Sequence, residues 1–188
     1  MLLALGRRGE ALEAYQKSLA NSEKLAAADP GNTELLRDLT IGYEKVGDVL
    51  TAFGRHDEAL TNYRKELPIM ERLLAADSGN AEWQRDLAVT YERLGDVLVK
   101  LGRRAEALEA HRKCLAIRER LTAADPGNAQ WQGDLIISLF RLAGLGDDSK
   151  ARLVRALELT QQLDRAGKLA ADQKGWLRLI SQELAKFP

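Results

Sequence analysis

Leu101-Gly-Arg-Arg-Ala-Glu-Ala-Leu108 is the third appearance of one phrase. It stands earlier as Leu5-Gly-Arg-Arg-Gly-Glu-Ala-Leu12 and as Phe53-Gly-Arg-His-Asp-Glu-Ala-Leu60, so the phrase returns with a constant period of 48. A second phrase keeps the same period: Asp29-Pro-Gly-Asn32, Asp77-Ser-Gly-Asn80 and Asp125-Pro-Gly-Asn128. Laid over each other without a gap, residues 29–76 and 77–124 agree at 27 of 48 positions. Shared helical composition does not produce that level of identity, so the unit is duplicated.

Inside the unit the apolar spacing is helical. Trp83, Leu87, Tyr91, Leu94, Leu98 and Leu101 advance by threes and fours and mark one stripe, helix A. A second stripe, helix B, follows Gly102 and runs through Ala107, Leu108, His111, Cys114 or Leu115, Arg118 by its aliphatic stem, and Leu121. Gly102 is placed to end helix A in a left-handed cap. Asn32, Asn80 and Asn128 stand where an N-cap is wanted, each preceded by a glycine free to take positive φ, with Pro30 and Pro126 unable to continue helix B. Each unit therefore reads as a helical hairpin.

The residues Tyr91-x2-Leu94-Gly95-x2-Leu98 with Ala107-x3-His111, and Tyr43-x2-Val46-Gly47-x2-Leu50 with Ala59-x3-Tyr63, resemble the tetratricopeptide repeat pattern. That family's repeat is typically about 34 residues long, so this unit is longer by about 14. The excess falls as about seven residues in each helix, and a heptad shifts helix phase by only about 20°, which keeps the buried stripe facing its neighbours. The resemblance covers roughly residues 5–165 and looks like a long-helix variant of the family. It implies an all-α, right-handed superhelical solenoid of about eight helices, with helices A inside and helices B outside.

The expected organisation is a single solenoid domain over residues 1–188. Residues 1–28 are a partial first repeat, 29–76 and 77–124 full repeats, 125–166 a divergent shortened repeat, and 167–188 a capping helix. In the fourth unit the best match sets Leu157 against Leu115, a spacing of 42 in place of 48, so the unit is shortened around Gly144-Leu-Gly-Asp-Asp148. The last helix gathers Trp176, Leu177, Ile180 and Leu184 on one face and Arg178, Ser181, Gln182, Glu183 and Lys186 on the other, as a solvating cap would.

Composition narrows the function classes. Lys plus Arg and Asp plus Glu number 28 each in 188 residues, with no basic block, so neither a nucleic acid nor a membrane surface is an expected partner. No apolar stretch approaches a membrane span, and Met1-Leu-Leu-Ala-Leu5 followed by Arg7-Arg8 has the wrong order for a signal peptide. Cys114 is the only cysteine, which fits a reducing cytoplasm. Catalytic material is poor. His111 and Cys114 share a helix face, but they replace Tyr15 and Tyr63, and Ser18 and Glu66, as packing positions of an outer helix. His56 replaces Arg8 and Arg104 in a turn and reads as a surface residue. Gly144-Leu145-Gly146 lacks the strand and the Lys-Ser/Thr of a phosphate cradle. No enzyme, cofactor or metal is expected.

The helix A face is the candidate partner-binding groove. The resemblance places Glu44 and Asp48, and Glu92 and Asp96, on its lining, with Arg37, Ile41, Arg85, Val89, Ile137 and Phe140 around them. Like charges four apart on a helix repel by about 0.2–0.5 kcal/mol, so each acidic pair needs an offset. One source is internal: Lys45, Arg93 and Arg141, or Arg37 and Arg85, pairing between neighbouring helices. The other is a basic, amide-rich or amphipathic partner segment. The favoured function is a protein-interaction scaffold that binds a peptide or protein segment; the alternative is an architectural or oligomerisation arm of a longer protein. Met1 aligns with Val49 and Val97, inside helix A, so the first helix B is expected to leave an apolar strip of Leu12, Tyr15 and Leu19 for a homodimer contact.

Overall fold

The computed structural model describes residues 8–187, and every regular element among them is helical. The α-helices are α1 Arg8–Ala28, α2 Thr33–Ala52, α3 His56–Ala76, α4 Ala81–Lys100, α5 Arg104–Ala124, α6 Ala129–Gly144, α7 Ser149–Arg165 and α8 Trp176–Leu184, with a 3-10 turn at Ala171–Gln173. Helices α1, α3 and α5 start and stop one sequence period apart, as do α2 and α4. The sequence period is thus also the backbone period, and the chain is an all-α helical repeat.

Two recurring turns punctuate it. Before each helix A an asparagine caps: the Asn32 side chain accepts from the amides of Glu34 and Leu35, and Asn80 and Asn128 accept from Trp83 and Trp131, each at 3.1 Å. The preceding glycines do not take positive φ, contrary to expectation. At Gly79 and Gly127 the amide is instead held by the carboxylates of Asp77 and Asp125, at 3.2 and 3.1 Å, which closes the turn at ordinary φ. After each helix A the left-handed cap is present, with φ of 74° at Gly54, 72° at Gly102 and 77° at Gly146. The following amide reaches back to the last turn in each case, as in Arg103 N–H to Leu98 carbonyl at 2.9 Å.

The backbone groups into two compact units, residues 1–103 and 104–188. In the first, α2 packs on α1 and α3, and α3 on α4. Its core is supplied by Leu36, Leu39, Tyr43, Val46, Val49 and Leu50 of α2 and by Leu60, Tyr63, Met70 and Leu73 of α3. The glycine of the Val-Gly pair has a packing reason: a Cβ at Gly47 would stand 2.6 Å from the Tyr63 ring. Ala11, Leu12, Leu19 and Ala26 of α1 are buried too. The expected open strip is therefore mostly closed. Leu12 and Leu19 are spent in the core of this unit, Leu19 beneath Gly42 of α2, and Tyr15 is half-buried. Pro68 lies within α3 with its ring exposed, and the helix continues past it.

In the second unit Leu135, Ile136, Leu139 and Leu142 of α6 gather Leu115 of α5, Leu153, Ala156 and Leu163 of α7, and Ile180 of α8. The shortened link after α6 is tied by charge. Asp147 pairs with Arg112 of α5 and Arg152 of α7, and Arg104 donates to the Leu145 carbonyl. Gly144-Leu-Gly146 is thus a helix C-terminus. In α8, Ile180 is buried and Trp176, Leu177 and Leu184 are half-buried, while Arg178, Ser181, Gln182 and, just after the helix, Lys186 are exposed; Glu183, expected on the solvated face, is half-buried.

Candidate partner-binding faces

The acids on α2 are held internally. Arg93 of α4 reaches across to α2, its Nε 2.7 Å from Asp48 Oδ1 and its Nη2 3.3 Å from Glu44 Oε1. Lys45 Nζ lies 3.0 Å from the same Glu44 oxygen. The Tyr63 hydroxyl donates to Asp48 Oδ1 at 2.8 Å, and burial, assisted by that carboxylate, pushes the phenol's pKa up. Two carboxylates thus face two cations and a phenol, and the repulsion within the acidic pair is offset inside the repeat. Arg37 pairs with Glu82 of α4 rather than with Glu44 or Asp48.

Around this network the face stays within reach of solvent. Arg37, Glu44, Asp48, Arg85, Val89, Glu92 and Asp96 are half-buried, and Ile41 is 43% exposed. The structure brings Glu44 and Asp48 together with Arg93, while Glu92 and Asp96 hold the same register positions on α4. Ile137 and Phe140 fall in the second unit. There they line, with Ile136, Arg141, Trp176 and Leu179, an apolar cavity of about 400 Å³ between α6 and α8. Sequence spacing placed Ile137 and Phe140 on helix A but gave no sign of α8 beside them, because no earlier repeat carries an equivalent of α8.

One buried acid escaped the sequence reading. Glu66 of α3 is 2% exposed; Thr90 Oγ1 donates to its Oε1 at 2.7 Å, and its Oε2 has no hydrogen-bond partner. Desolvation raises its pKa to about 8, with Glu44 and Asp48 adding to the shift and the Thr90 bond and Arg93 opposing it. Its one sequence signal is an acid at a position that holds Ser18 and Cys114 in the other repeats.

The groups considered for chemistry are packing groups. Cys114 is buried with Sγ 3.4 Å from the Ser138 hydroxyl, and Ser138 also accepts from Arg118 Nη1 at 2.8 Å. His111 is buried, and His56, expected at the surface, is half-buried at the start of α3. Among the described residues no group of three His, Cys, Asp or Glu side chains is placed to hold a metal ion. No helix among them is long and apolar enough to cross a membrane.

Two tetratricopeptide repeat family models match, one over residues 38–97 and the other over residues 87–125. The repeat, its caps and the Gly47–Tyr63 contact agree with those matches, and over residues 38–125 the chain carries repeats of the tetratricopeptide type. Similar folds occur in a Podosopora anserina putative kinesin light chain with nearly identical TPR-like repeats, at TM-score 0.63 and 19% identity, covering 98% of this chain and 79% of that one. Another is BtubC (BKLC) from P. vanneervenii, at TM-score 0.59 and 16% identity, covering 95% and 82%. No curated protein matches the chain. Repeats of this type support a protein-interaction scaffold.

Proposed function

We propose that the chain is a non-enzymatic, cytoplasmic scaffold that binds a peptide or protein segment along the helix A faces of α2 and α4. The observation that carries this reading is the solvent-reachable stripe of Arg37, Ile41, Glu44 and Asp48 on α2, repeated one period on as Arg85, Val89, Glu92 and Asp96. Since Arg93 and Lys45 already balance Glu44 and Asp48, the α2 part of the face suits an amide-rich or amphipathic segment better than a plain polycation. Ile137 and Phe140 form a separate apolar contact in the second unit. The balanced charge of 28 against 28 supports a protein rather than a nucleic acid as partner.

Selection of peptides from a displayed random library on the intact chain, with counter-screening on an Ile41→Asp/Val89→Asp variant, tests the reading. Ile41 is exposed and Val89 half-buried, so a thermal melt of the variant accompanies the screen to show that it stays folded. Selected peptides should lose at least about tenfold in affinity for the variant, because an aspartate removes an apolar contact and introduces an unpaired charge. Equal binding to both proteins would show that α2 and α4 present the wrong face.

A further inference from the structure

The helix A face changes character at its third appearance. One period after Arg85, Glu92 and Asp96 of α4 stand Gly133, Phe140 and Gly144 of α6, while Ile137 and Arg141 keep the types of Val89 and Arg93. Three charged positions have become two glycines and a phenylalanine. Packing explains the first glycine: a Cβ at Gly133 would stand 3.0 Å from Gln173 Nε2 and 3.8 Å from the Trp176 ring. It does not explain the second. Gly144 ends α6 without positive φ, and no atom of a described residue lies within 4 Å of a Cβ added there. Its bare backbone instead lines the cavity of about 400 Å³ between α6 and α8, whose wall is exposed at Gly144 and, at 45%, at Leu179.

We propose that this cavity is a binding site for a small apolar carboxylic acid, with the hydrocarbon against Phe140, Trp176 and Leu179 and the carboxylate at Arg141. Volume and lining both support it. Small-molecule sites typically offer about 300–1,000 Å³ of mainly apolar and aromatic wall, with a few polar groups that fix orientation. Here Arg141 is the charged member of an otherwise apolar lining. At about 30 Å³ per water-sized group the cavity takes about ten to thirteen non-hydrogen atoms, the size of a medium-chain alkanoate. A guanidinium fork matches a planar carboxylate through two parallel N–H bonds, and a single guanidinium balances a monoanion better than a phosphate dianion. Arg141 already has a contact within the chain, so the carboxylate shares the guanidinium and the pairing adds selectivity over uncharged analogues more than affinity.

A compact ligand fits this place better than an extended segment. Gln173 and Trp176 stand on α6 at Gly133, so a peptide laid along the helix A face would be stopped about two turns from Phe140. Both walls of the cavity belong to described helices of the second unit, and Ile136 and Ile180, 1% and 2% exposed, close its inner side. The site does not depend on the α2–α4 face reading and stands even if that face binds nothing.

The probe is octanoate, titrated into the intact chain by isothermal calorimetry, with octan-1-ol as the uncharged comparison. Octanoate should bind at one site per chain and several-fold more tightly than octanol. Gly144→Leu sets a side chain in the cavity where no described atom opposes it, so it should weaken octanoate at least about tenfold while the melting temperature holds or rises. Arg141→Gln should bring octanoate down to the level of octanol, and Arg141→Lys should keep part of the difference, with a thermal melt showing that each variant is folded. The proposal is overturned if octanoate does not bind the wild type, if folded Gly144→Leu binds it equally well, or if octanol binds as tightly as octanoate. If octanoate fails while peptides selected on the intact chain lose their binding with Gly144→Leu, the occupant is a side chain of a partner protein and the proposal is again overturned.

Discussion

Tyr63 and Asp48 meet at 2.8 Å, phenol to carboxylate, beside the place where α2 and α3 approach closely enough to require a glycine. Gly47 therefore sets the sign of an otherwise favourable change. Glycine to alanine in a helix interior gains about 1 kcal/mol in propensity. At Gly47 the new methyl collides with a buried ring, and overpacking of that kind costs about 1–3 kcal/mol. Gly47→Ala should lower the melting temperature. Gly9→Ala, near the start of α1 with no atom of a described residue within 4 Å of the added methyl, should leave it unchanged or raise it. Equal effects at the two sites in a thermal melt would show that the α2–α3 contact is looser than described.

Pro68 stands in α3 where the other repeats have Ala20 and Ala116. It gives no N–H to the Arg64 carbonyl and its ring crowds that carbonyl, and proline in a helix interior is about 3 kcal/mol worse than alanine. Its ring faces solvent, so no core contact is lost on replacement. Pro68→Ala should stabilise the chain by about 1–3 kcal/mol in urea unfolding. A lower midpoint for the mutant would mean that the repeat packs around the proline.

Reversing the groove acids is not a neutral test of binding. Asp48→Lys removes the acceptor of Tyr63 and sets an ammonium against Arg93, in a network that is only partly open to water. A loss of about 1–3 kcal/mol is expected, whereas Asp48→Asn, which keeps an acceptor, should lose less. Similar melting of wild type and Asp48→Lys would remove Arg93 and Tyr63 as the partners that hold this side chain.

The local rules of the sequence carried well because they repeat. The period itself, an asparagine before each helix A and a glycine after it determined the helix ends, and the structure keeps those ends at matching positions from α1 to α5. What failed to show were relations between helices. Leu12 and Leu19 read as an exposed strip because spacing tells which residues share a face and not which neighbour that face meets. Arg37 sat beside the acidic pair in the sequence pattern, yet its partner is Glu82, one repeat away. Glu66 looked like a harmless exchange for Ser18 and Cys114 until α4 covered it.

That burial makes Glu66 a source of pH dependence. Desolvation lifts its pKa from the ordinary 4.5 to about 8 in the folded chain. The native state therefore holds a proton that the unfolded chain releases, and the sign follows: where the folded state binds more protons, stability falls as pH rises. The contribution is fully present below about pH 4.5, declines across the interval up to about 8, and is then lost. Each unit of difference is worth about 1.4 kcal/mol, so the total effect is on the order of a few kcal/mol. Glu66→Gln keeps the shape and an oxygen for the Thr90 hydroxyl and removes the titration. Measured by urea unfolding at pH 5, 7 and 9, the mutant should be close to wild type at pH 5 and gain progressively on it at 7 and 9. A stability difference that stays constant across the three values would show that Glu66 is ionised in the folded chain throughout.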